Sequence, residues 1–353
     1  MNVEKPAFLD AAERVGIPRS TALELWDEIR GPLAIRSGLF TSQNVARLIA
    51  PIKAVHHRFF GPEAALSSVP LAFLRLFYGD DLTTRIRNKP FTVNLHDTIV
   101  SFEILAYRKW QPLETMLYER LIRPGDFVID VGANIGYFTV LFAELTGSGG
   151  RVLAIEPEPN NARLLRKNVE QRANAPVVTI AQTAVGSEPG TATLYVAASG
   201  NLGDNRMYFT EERHGIAAAK DRKTTEVPMT RVDDLVAGWP RVDFIKMDIQ
   251  GFEGHALKGM TGVLGSNPDV LLFTEFFPYG MRAAGIDPFE FIEQLRSFGF
   301  DIWETGTDRQ PLRHVLREDD RRFLERVEPD RGEANLLCAK GESAIKRAQR
   351  LTR

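Results

Sequence analysis

The stretch Phe127-Val-Ile-Asp-Val-Gly-Ala-Asn-Ile-Gly-Tyr-Phe-Thr139 decides the fold of this 353-residue chain. Its first five residues are apolar apart from Asp130, which is typical of a strand buried on both faces of a parallel sheet. Gly132 and Gly136 follow this strand and let the backbone bend sharply, and the next residues, 137–145, have a helical pattern. A strand, a glycine turn and a helix in this order predict a ligand-binding crevice at the end of the strand.

Outward from this turn, short apolar runs alternate with helical segments such as 160–172. Further strands are predicted at 151–156, 177–181, 242–248, 270–275, 300–303 and 334–339. This alternation predicts an α/β fold with a mostly parallel, seven-stranded sheet and helices on both faces. Two more short strands, 191–197 and 224–229, bracket a polar, glycine-containing stretch that we interpret as a lid over the site.

The part of the chain before the sheet has a different pattern. From Ala7 to about Phe77 apolar residues recur at helical spacing, which predicts a helical extension. We therefore divide the chain into an N-terminal helical region (1–88), an α/β domain (89–341) and a C-terminal tail (342–353).

Charge argues against a nucleic-acid partner. The 44 Lys and Arg residues are balanced by 46 Asp and Glu, so no global positive field would collect nucleic acid. Residues 11–29 have the helix-turn-helix outline of a DNA-reading motif, but the second helix would present Glu24, Asp27 and Glu28 to phosphates. A docking module or a wall of the acceptor site fits this segment better.

The remaining composition predicts a cytoplasmic protein without membrane insertion. Cys338 is the one cysteine, which excludes an intrachain disulfide framework and a cysteine-rich metal site. The N-terminus meets acidic residues before any apolar run, and the apolar runs are far shorter than the ~20 residues of a spanning helix. The apolar N-terminal helices would allow a homo-oligomer.

The glycine turn and the acid after the second strand indicate the kind of ligand. The spacing Asp-x-Gly-x-x-x-Gly from Asp130 to Gly136 differs from the Gly-x-Gly-x-x-Gly of dinucleotide-binding turns, which disfavours a nicotinamide-dependent oxidoreductase. Asp130 would repel a pyrophosphate and suits a cationic group such as the amino end of a methionine moiety. Glu156 can accept two hydrogen bonds from a ribose diol. Its alternative is a solvated helix cap, a role that Glu158 could fill.

An ordered set of motifs resembles the FkbM family of methyltransferases. The motifs are Phe127 to Thr139, Glu156-Pro157, Phe244-Ile-Lys-Met-Asp-Ile-Gln-Gly-Phe-Glu253 and Glu275, and the similarity covers roughly residues 90–340. The resemblance implies a Rossmann-like class I methyltransferase sheet, S-adenosylmethionine as cofactor, and O-methylation of a small-molecule acceptor (a sugar, glycan or natural product). N-methylation, and a non-catalytic docking protein that binds the nucleoside, are the alternatives.

The resemblance also implies site residues by matching position. It places the cofactor on Asp130, Gly132, Asn134, Gly136 and Glu156. To this cofactor site we add Ala133, Phe138, Thr183 and Ala184.

Asp248 is expected at the reacting end. We interpret it as the base that accepts the acceptor's proton, the alternative being a cap for the next helix, and His214 in the lid is a second candidate base. Asn205, Arg206 and Glu275 are candidates for binding the acceptor. For Glu275 the alternative is a buried ion pair with Lys246 or Arg282.

One departure from the family pattern concerns metals. Gln250 stands where a glutamate is common in Asp-x-Glu-Gly-x-Glu, and an amide binds a divalent cation less well than a carboxylate. We therefore predict no metal site. Glu253 shares a helix face with apolar residues, so it should be buried with partners, which we expect to be the backbone amides of the Gly251 turn, the alternative being a substrate hydroxyl.

Overall fold

The computed structural model describes residues 19–20, 71, 74–75, 78–197, 200–208, 222–307, 310–329 and 332–352. Most of the helical region predicted for 7–77 lies outside these ranges. The chain divides into two compact units, Met1–Trp110 with Ser199–Gly203, and Gln111–Ala198 with Asp204–Arg353. The boundary between the units therefore follows Trp110, whereas the sequence suggested a boundary after residue 88.

An antiparallel hairpin lies in the first unit. Strands β1 (Asp81–Ile86) and β2 (Lys89–Asn94) pair in register and are joined by two residues with positive φ, Arg87 at 52° and Asn88 at 62°. Helix α1 (Val100–Tyr107) follows, and the carboxylate of Asp97 accepts hydrogen bonds from backbone N–H groups at its start. The sequence did not predict this hairpin, because Arg-Asn lacks the glycine that usually marks a two-residue turn.

The second unit contains eleven strands and ten helices among the described residues. The strands are β3 (Phe127–Val131), β4 (Arg151–Ile155), β5 (Val178–Ala181), β6 (Ala184–Val185), β7 (Gly190–Val196), β8 (Lys223–Thr230), β9 (Phe244–Met247), β10 (Val270–Phe276), β11 (Asp301–Thr307), β12 (Gln310–Val315) and β13 (Ala334–Lys340). The helices are α2 (Pro112–Leu121), α3 (Tyr137–Thr146), α4 (Pro159–Glu170), α5 (Val232–Leu235), α6 (Glu253–Lys258), α7 (Thr261–Ser266), α8 (Pro278–Ala283), α9 (Pro288–Ser297), α10 (Asp320–Val327) and α11 (Glu342–Gln349).

Eight of these strands form the central sheet, in the order β12-β11-β13-β10-β9-β3-β4-β5. The five strands from β10 to β5 are mutually parallel, and β13 runs antiparallel between β10 and β11. The predicted α/β class and mostly parallel sheet are confirmed. The sheet has one strand more than the seven expected, because β12 adds to the edge, where the proline at its second position is tolerated.

The centre of the sheet is apolar on both faces, and its packing fixes the helices that flank the site. Tyr118 of α2 is fully buried and contacts four aromatic rings edge-on at centroid distances of 4.9 to 5.6 Å. These rings belong to Phe138, Phe142, Phe244 and Phe273. Aromatic pairs of this geometry stabilise a core beyond their area burial. The start of α3, directly after the glycine turn, is therefore held firmly against the sheet.

The C-terminal segment, which the sequence suggested as a tail, forms a packed helix. Ala344 and Ala348 of α11 are buried, and Arg347 forms an ion pair with Asp126 at 3.0 Å. Residues 342–352 therefore belong to the second unit.

A small sheet of order β6-β8-β7 contains the two short strands predicted around the polar stretch. Residues 209–221 of that stretch lie outside the described ranges, so the lid remains a prediction. None of the helices in the described ranges has the length and apolar character that a bilayer crossing needs.

Candidate functional site

The glycine turn passes directly against the segment that follows β9. Gly132, Asn134 and Gly136 all have positive φ, of 79°, 51° and 88°. A β-carbon on Gly132 would lie 2.0 Å from the carbonyl oxygen of Asp248, and one on Gly136 would lie 2.6 Å from Cδ1 of Leu165. Both glycines are therefore required by backbone conformation and by space.

Glu156 is tied to this turn from the next strand. Its Oε2 accepts a hydrogen bond from the backbone N–H of Asn134 at 2.9 Å, and its Oε1 accepts one from Glu158 N–H at 2.9 Å. The turn is also joined to the end of β4, because the N–H groups of Gly132 and Ala133 both donate to the carbonyl of Ile155 at 3.0 Å. The turn and Glu156 thus form one hydrogen-bonded unit.

The two acids of Glu156-Pro-Glu-Pro159 have different positions. Glu158 caps α4 by accepting a hydrogen bond from the N–H of Asn161 at 2.7 Å. Glu156 is only 5% exposed, and burial raises its pKa to about 7. The helix-capping role considered for Glu156 is therefore filled by Glu158. Each carboxylate oxygen of Glu156 retains a lone pair beyond its backbone contact.

Asp130 is fully buried at the end of β3. Its Oδ2 accepts a hydrogen bond from Thr139 Oγ1 at 2.6 Å, and its Oδ1 lies 3.8 Å from Nζ of Lys246. Burial raises the pKa of Asp130, and the Lys246 ammonium opposes this rise. The cation that faces Asp130 in the structure belongs to the protein itself.

Asp248 lies at the carboxyl end of β9, beside the turn. Strand β9 pairs with β3 so that Met247 is opposite Val131, and Asp248 N–H donates to the Val131 carbonyl at 3.1 Å. Its side chain is 30% exposed, with Oδ2 3.4 Å from Lys246 Nζ. Asp248 is therefore an accessible carboxylate next to the turn.

Gln250 links Asp248 to Glu275 at the end of β10. Its side-chain amide nitrogen lies 3.3 Å from Asp248 Oδ1 and 3.2 Å from Glu275 Oε1, and its backbone carbonyl accepts a hydrogen bond from the Tyr208 hydroxyl at 2.6 Å. Burial, followed by the negative charge of Asp248, raises the pKa of Glu275 well above its ordinary value. The amide thus bridges two acids.

The ion pair considered for Glu275 is therefore replaced by a hydrogen bond to Gln250. Arg282 instead pairs with Glu328 at 2.5 Å and with Asp287 at 3.3 Å. Lys246 forms its ion pairs with Asp130 and Asp248.

Glu253 is fully buried at the start of α6, as its spacing predicted. Its Oε1 accepts a hydrogen bond from the backbone N–H of Ile249 at 2.8 Å, so it stabilises the loop between β9 and α6. Burial raises its pKa to about 8.

The other predicted cofactor residues lie in two places. Ala133 and Phe138 are buried in the turn and at the start of α3. Thr183 donates its hydroxyl to the carbonyl of Pro228 at 2.9 Å, and Ala184 begins β6, so these two belong to the small sheet.

The predicted acceptor residues are engaged within the protein. Asn205 Oδ1 accepts a hydrogen bond from Ala197 N–H at 2.9 Å, and Arg206 Nε donates to Asp204 Oδ1 at 2.6 Å. The guanidinium of Arg206 also lies 5.9 Å from the ring centroid of Phe277, close to the end of β10. His214 lies outside the described residues.

Sequence reasoning named Lys246 only as a possible ion-pair partner of Glu275, and it missed Tyr208. Lys246 had a signal: a lysine within the apolar strand Phe244-Ile-Lys-Met247 is unusual, because lysines are almost never buried without a partner. Tyr208 had no local signal, because its partner Gln250 is 42 residues away. In the part of the chain that the structure describes, no group of three or more His, Cys, Asp and Glu residues is arranged to hold a metal ion.

Comparisons with known proteins agree with this geometry. Residues 130–302 match the family model for the methyltransferase FkbM domain. A protein-L-isoaspartate O-methyltransferase from Aeropyrum pernix is 30% identical over 46% of this chain and 50% of its own length. The 31-O-demethyl-FK506 methyltransferase FkbM from Streptomyces tacrolimicus is 34% identical over 39% of this chain and 61% of its own length. The chain thus spans about half or somewhat more of the length of these relatives.

Solved structures include a methyltransferase FkbM from Methylobacillus flagellatus, at 14% identity and a TM-score of 0.37, covering 96% of this chain and 71% of that one. The fold is a Rossmann-like class I methyltransferase sheet, extended at one edge by β12. Over residues 130–302 this chain is therefore similar to the methyltransferase domain of the FkbM family.

Proposed function

We propose that this chain is an S-adenosylmethionine-dependent O-methyltransferase that acts on a hydroxyl of a small molecule such as a sugar, a glycan or a natural product. One observation carries this proposal. The glycine turn follows β3, Glu156 follows β4 and Asp248 follows β9. These three strands are parallel neighbours, so all three features lie together at the carboxyl ends of the strands. Ligands of open α/β sheets bind outside the carboxyl ends of the strands.

The groups at this edge fit S-adenosylmethionine, the cofactor of the domain family. Glu156 keeps lone pairs that can accept hydrogen bonds from a ribose diol. Asp248, the accessible carboxylate beside the turn, suits a cationic ligand. The glycines at 132 and 136 let the turn pack closely against the Asp248 backbone and against Leu165. When bound, the cofactor supplies an electrophilic methyl group on a positively charged sulfur.

The protein's own residues would then hold the ligand and handle a proton. In the proposal, Glu156 binds the diol, and the turn residues from Asp130 to Gly136 form the wall beside it. Phe138, Thr183 and Ala184 complete this wall.

Asp248 is the proposed catalytic base. A hydroxyl loses its proton as it attacks a methyl group, and the exposed oxygens of Asp248 can accept that proton. Gln250 holds the Asp248 carboxylate through its amide nitrogen, 3.3 Å away. His214 is the alternative base, and Asn205, Arg206 and Glu275 are the proposed acceptor-binding residues.

Titration calorimetry with S-adenosylhomocysteine tests the cofactor site. We expect the wild type to bind and Glu156→Gln to bind at least tenfold more weakly, because one acceptor oxygen becomes a donor. Glu158→Gln is the matched control, since Glu158 caps α4, and its affinity should stay within twofold of the wild type. The absence of binding by the wild-type protein would refute the proposal.

Incubation with labelled S-adenosylmethionine and a pool of hydroxylated metabolites tests the reaction. We expect label in an O-methyl product, and a loss of at least about a hundredfold in rate for Asp248→Asn, the range that a general base contributes. The exposed Asp234→Asn is the control and should transfer label at the wild-type rate. Label found only on nitrogen would contradict the hydroxyl acceptor.

A further inference from the structure

Lys246 places a buried ammonium group in the middle of the central sheet. It is the third residue of β9, and its side chain is only 4% exposed. The other residues of this strand, Phe244, Ile245 and Met247, are fully buried and apolar. An unpaired charge in such surroundings costs several kcal/mol. The groups around Lys246 must therefore compensate its charge.

Three oxygen atoms surround the ammonium. Nζ lies 3.4 Å from the carbonyl oxygen of Gly132, 3.4 Å from Asp248 Oδ2 and 3.8 Å from Asp130 Oδ1. The contact with the Gly132 carbonyl is a hydrogen bond, and the two carboxylate contacts are ion pairs. Burial alone would lower the pKa of Lys246, but the attraction of Asp248 and Asp130 outweighs burial and raises it. Lys246 therefore stays protonated and does not serve as a base.

The oxygens around the ammonium belong both to the glycine turn and to the segment that follows β9. Gly132 lies in the glycine turn after β3, and Asp248 lies at the reacting end after β9. The two segments touch, since a β-carbon on Gly132 would lie 2.0 Å from the Asp248 carbonyl. Strand pairing fixes Lys246 opposite Asp130, because these two residues are in register. The ammonium is thus a single contact shared by the turn and the carboxylate.

We propose that Lys246 is a positioning residue that locks the glycine turn to Asp248, so that the cofactor site and the proton acceptor keep a single relative geometry. The inference rests on the proposed function, because it concerns the same site. Lys246 fixes the orientation of the Asp248 carboxylate and donates a charge-assisted hydrogen bond to the Gly132 carbonyl, which is stronger than a neutral hydrogen bond.

Other titratable groups face this cluster from every side. They are Glu114 and Tyr118 of α2, Glu156 after β4, Glu253 of α6, Glu275 of β10 and Glu333 before β13. Each of these groups is neutral or negative, and Lys246 is the positive charge whose attraction opposes the burial of Asp130.

A purely structural role, compensation of the buried Asp130 charge, is the alternative. Two variants distinguish charge compensation from positioning. Lys246→Met leaves Asp130 without its counter-charge, so this variant is expected to lose stability. Asp130→Asn together with Lys246→Met removes both charges and should recover the fold. If Lys246 only balances charge, this double variant also recovers ligand binding. If Lys246 positions the turn, the double variant folds but does not recover ligand binding.

The test measures S-adenosylhomocysteine affinity by calorimetry, and folding by circular dichroism, for Asp130→Asn with and without Lys246→Met. We expect the double variant to fold and to bind at least tenfold more weakly than Asp130→Asn alone. Any smaller loss overturns the proposal, and so does a double variant that fails to fold. The exposed Lys258→Met should bind as the wild type does. A wild type without binding would instead refute the proposed function, which keeps the two failures distinct.

Discussion

Replacement of Glu156 by glutamine should change how the stability of this protein depends on pH. The Glu156 carboxyl is 5% exposed, and burial raises its pKa from 4.5 to about 7. The folded state therefore binds the proton more tightly than the unfolded state does. The stability contributed by the protonated form is present at low pH, and it is lost as the pH rises from about 4.5 to about 7.

The size of the effect follows from the two pKa values. A difference between 4.5 in the unfolded chain and about 7 in the folded chain corresponds to about 3 kcal/mol. Glutamine does not titrate, so Glu156→Gln lacks this loss. The free energy of unfolding of the wild type, minus that of the variant, should fall by about 3 kcal/mol between pH 4 and pH 8. The other buried acids, Glu253 and Glu275, titrate in both proteins and cancel in the difference.

Urea unfolding at a series of pH values measures this difference directly. Glu158→Gln is the control, because it changes a neighbouring glutamate that caps α4 and keeps Glu156, so it should still lose stability between about pH 4.5 and about pH 7. Parallel curves for the wild type and Glu156→Gln would refute the burial of an ionisable carboxyl beside the turn.

Three further predictions concern the glycine turn, the Tyr208 hydroxyl and the core. Gly132→Ala should lower the free energy of unfolding by more than about 2 kcal/mol, because residue 132 has a positive φ and a β-carbon there would clash with backbone. Gly125 has a similar φ of 87° but open space around it, so Gly125→Ala should cost less. Equal urea midpoints for the two variants would contradict this. Tyr208→Phe removes a hydroxyl donor to a backbone carbonyl and should cost about 1 kcal/mol in thermal unfolding; an unchanged melting temperature would exclude that hydrogen bond. Arg296→Met should destabilise by about 3 kcal/mol because it leaves the buried Asp320 unpaired. Adding Asp320→Leu should recover most of this loss, and a double variant as unstable as the single one would show that the charge is not the cause.

Local pattern was enough for the parallel strands and the glycine turn. Strands β3, β4, β9 and β10 were found from the sequence because each is an apolar run bounded by turn residues. The turn was found because Gly132 and Gly136 stand directly between a strand and a helix. The hairpin of β1 and β2 and the edge strand β12 were missed, because their sequences are polar and lack the usual turn signals.

The amino-acid sequence by itself determined the α/β class, the position of the glycine turn, and the placement of Glu156 and Asp248 at the ends of two strands. It could not show what surrounds each charge. Lys246, Asp130 and Asp248 come together only when β9 pairs with β3, and Gln250 reaches Glu275 only when β10 lies alongside. Tertiary structure alone decided these partners, and with them the pKa shifts, because burial and the distance between charges depend on strand order rather than on neighbours in the chain.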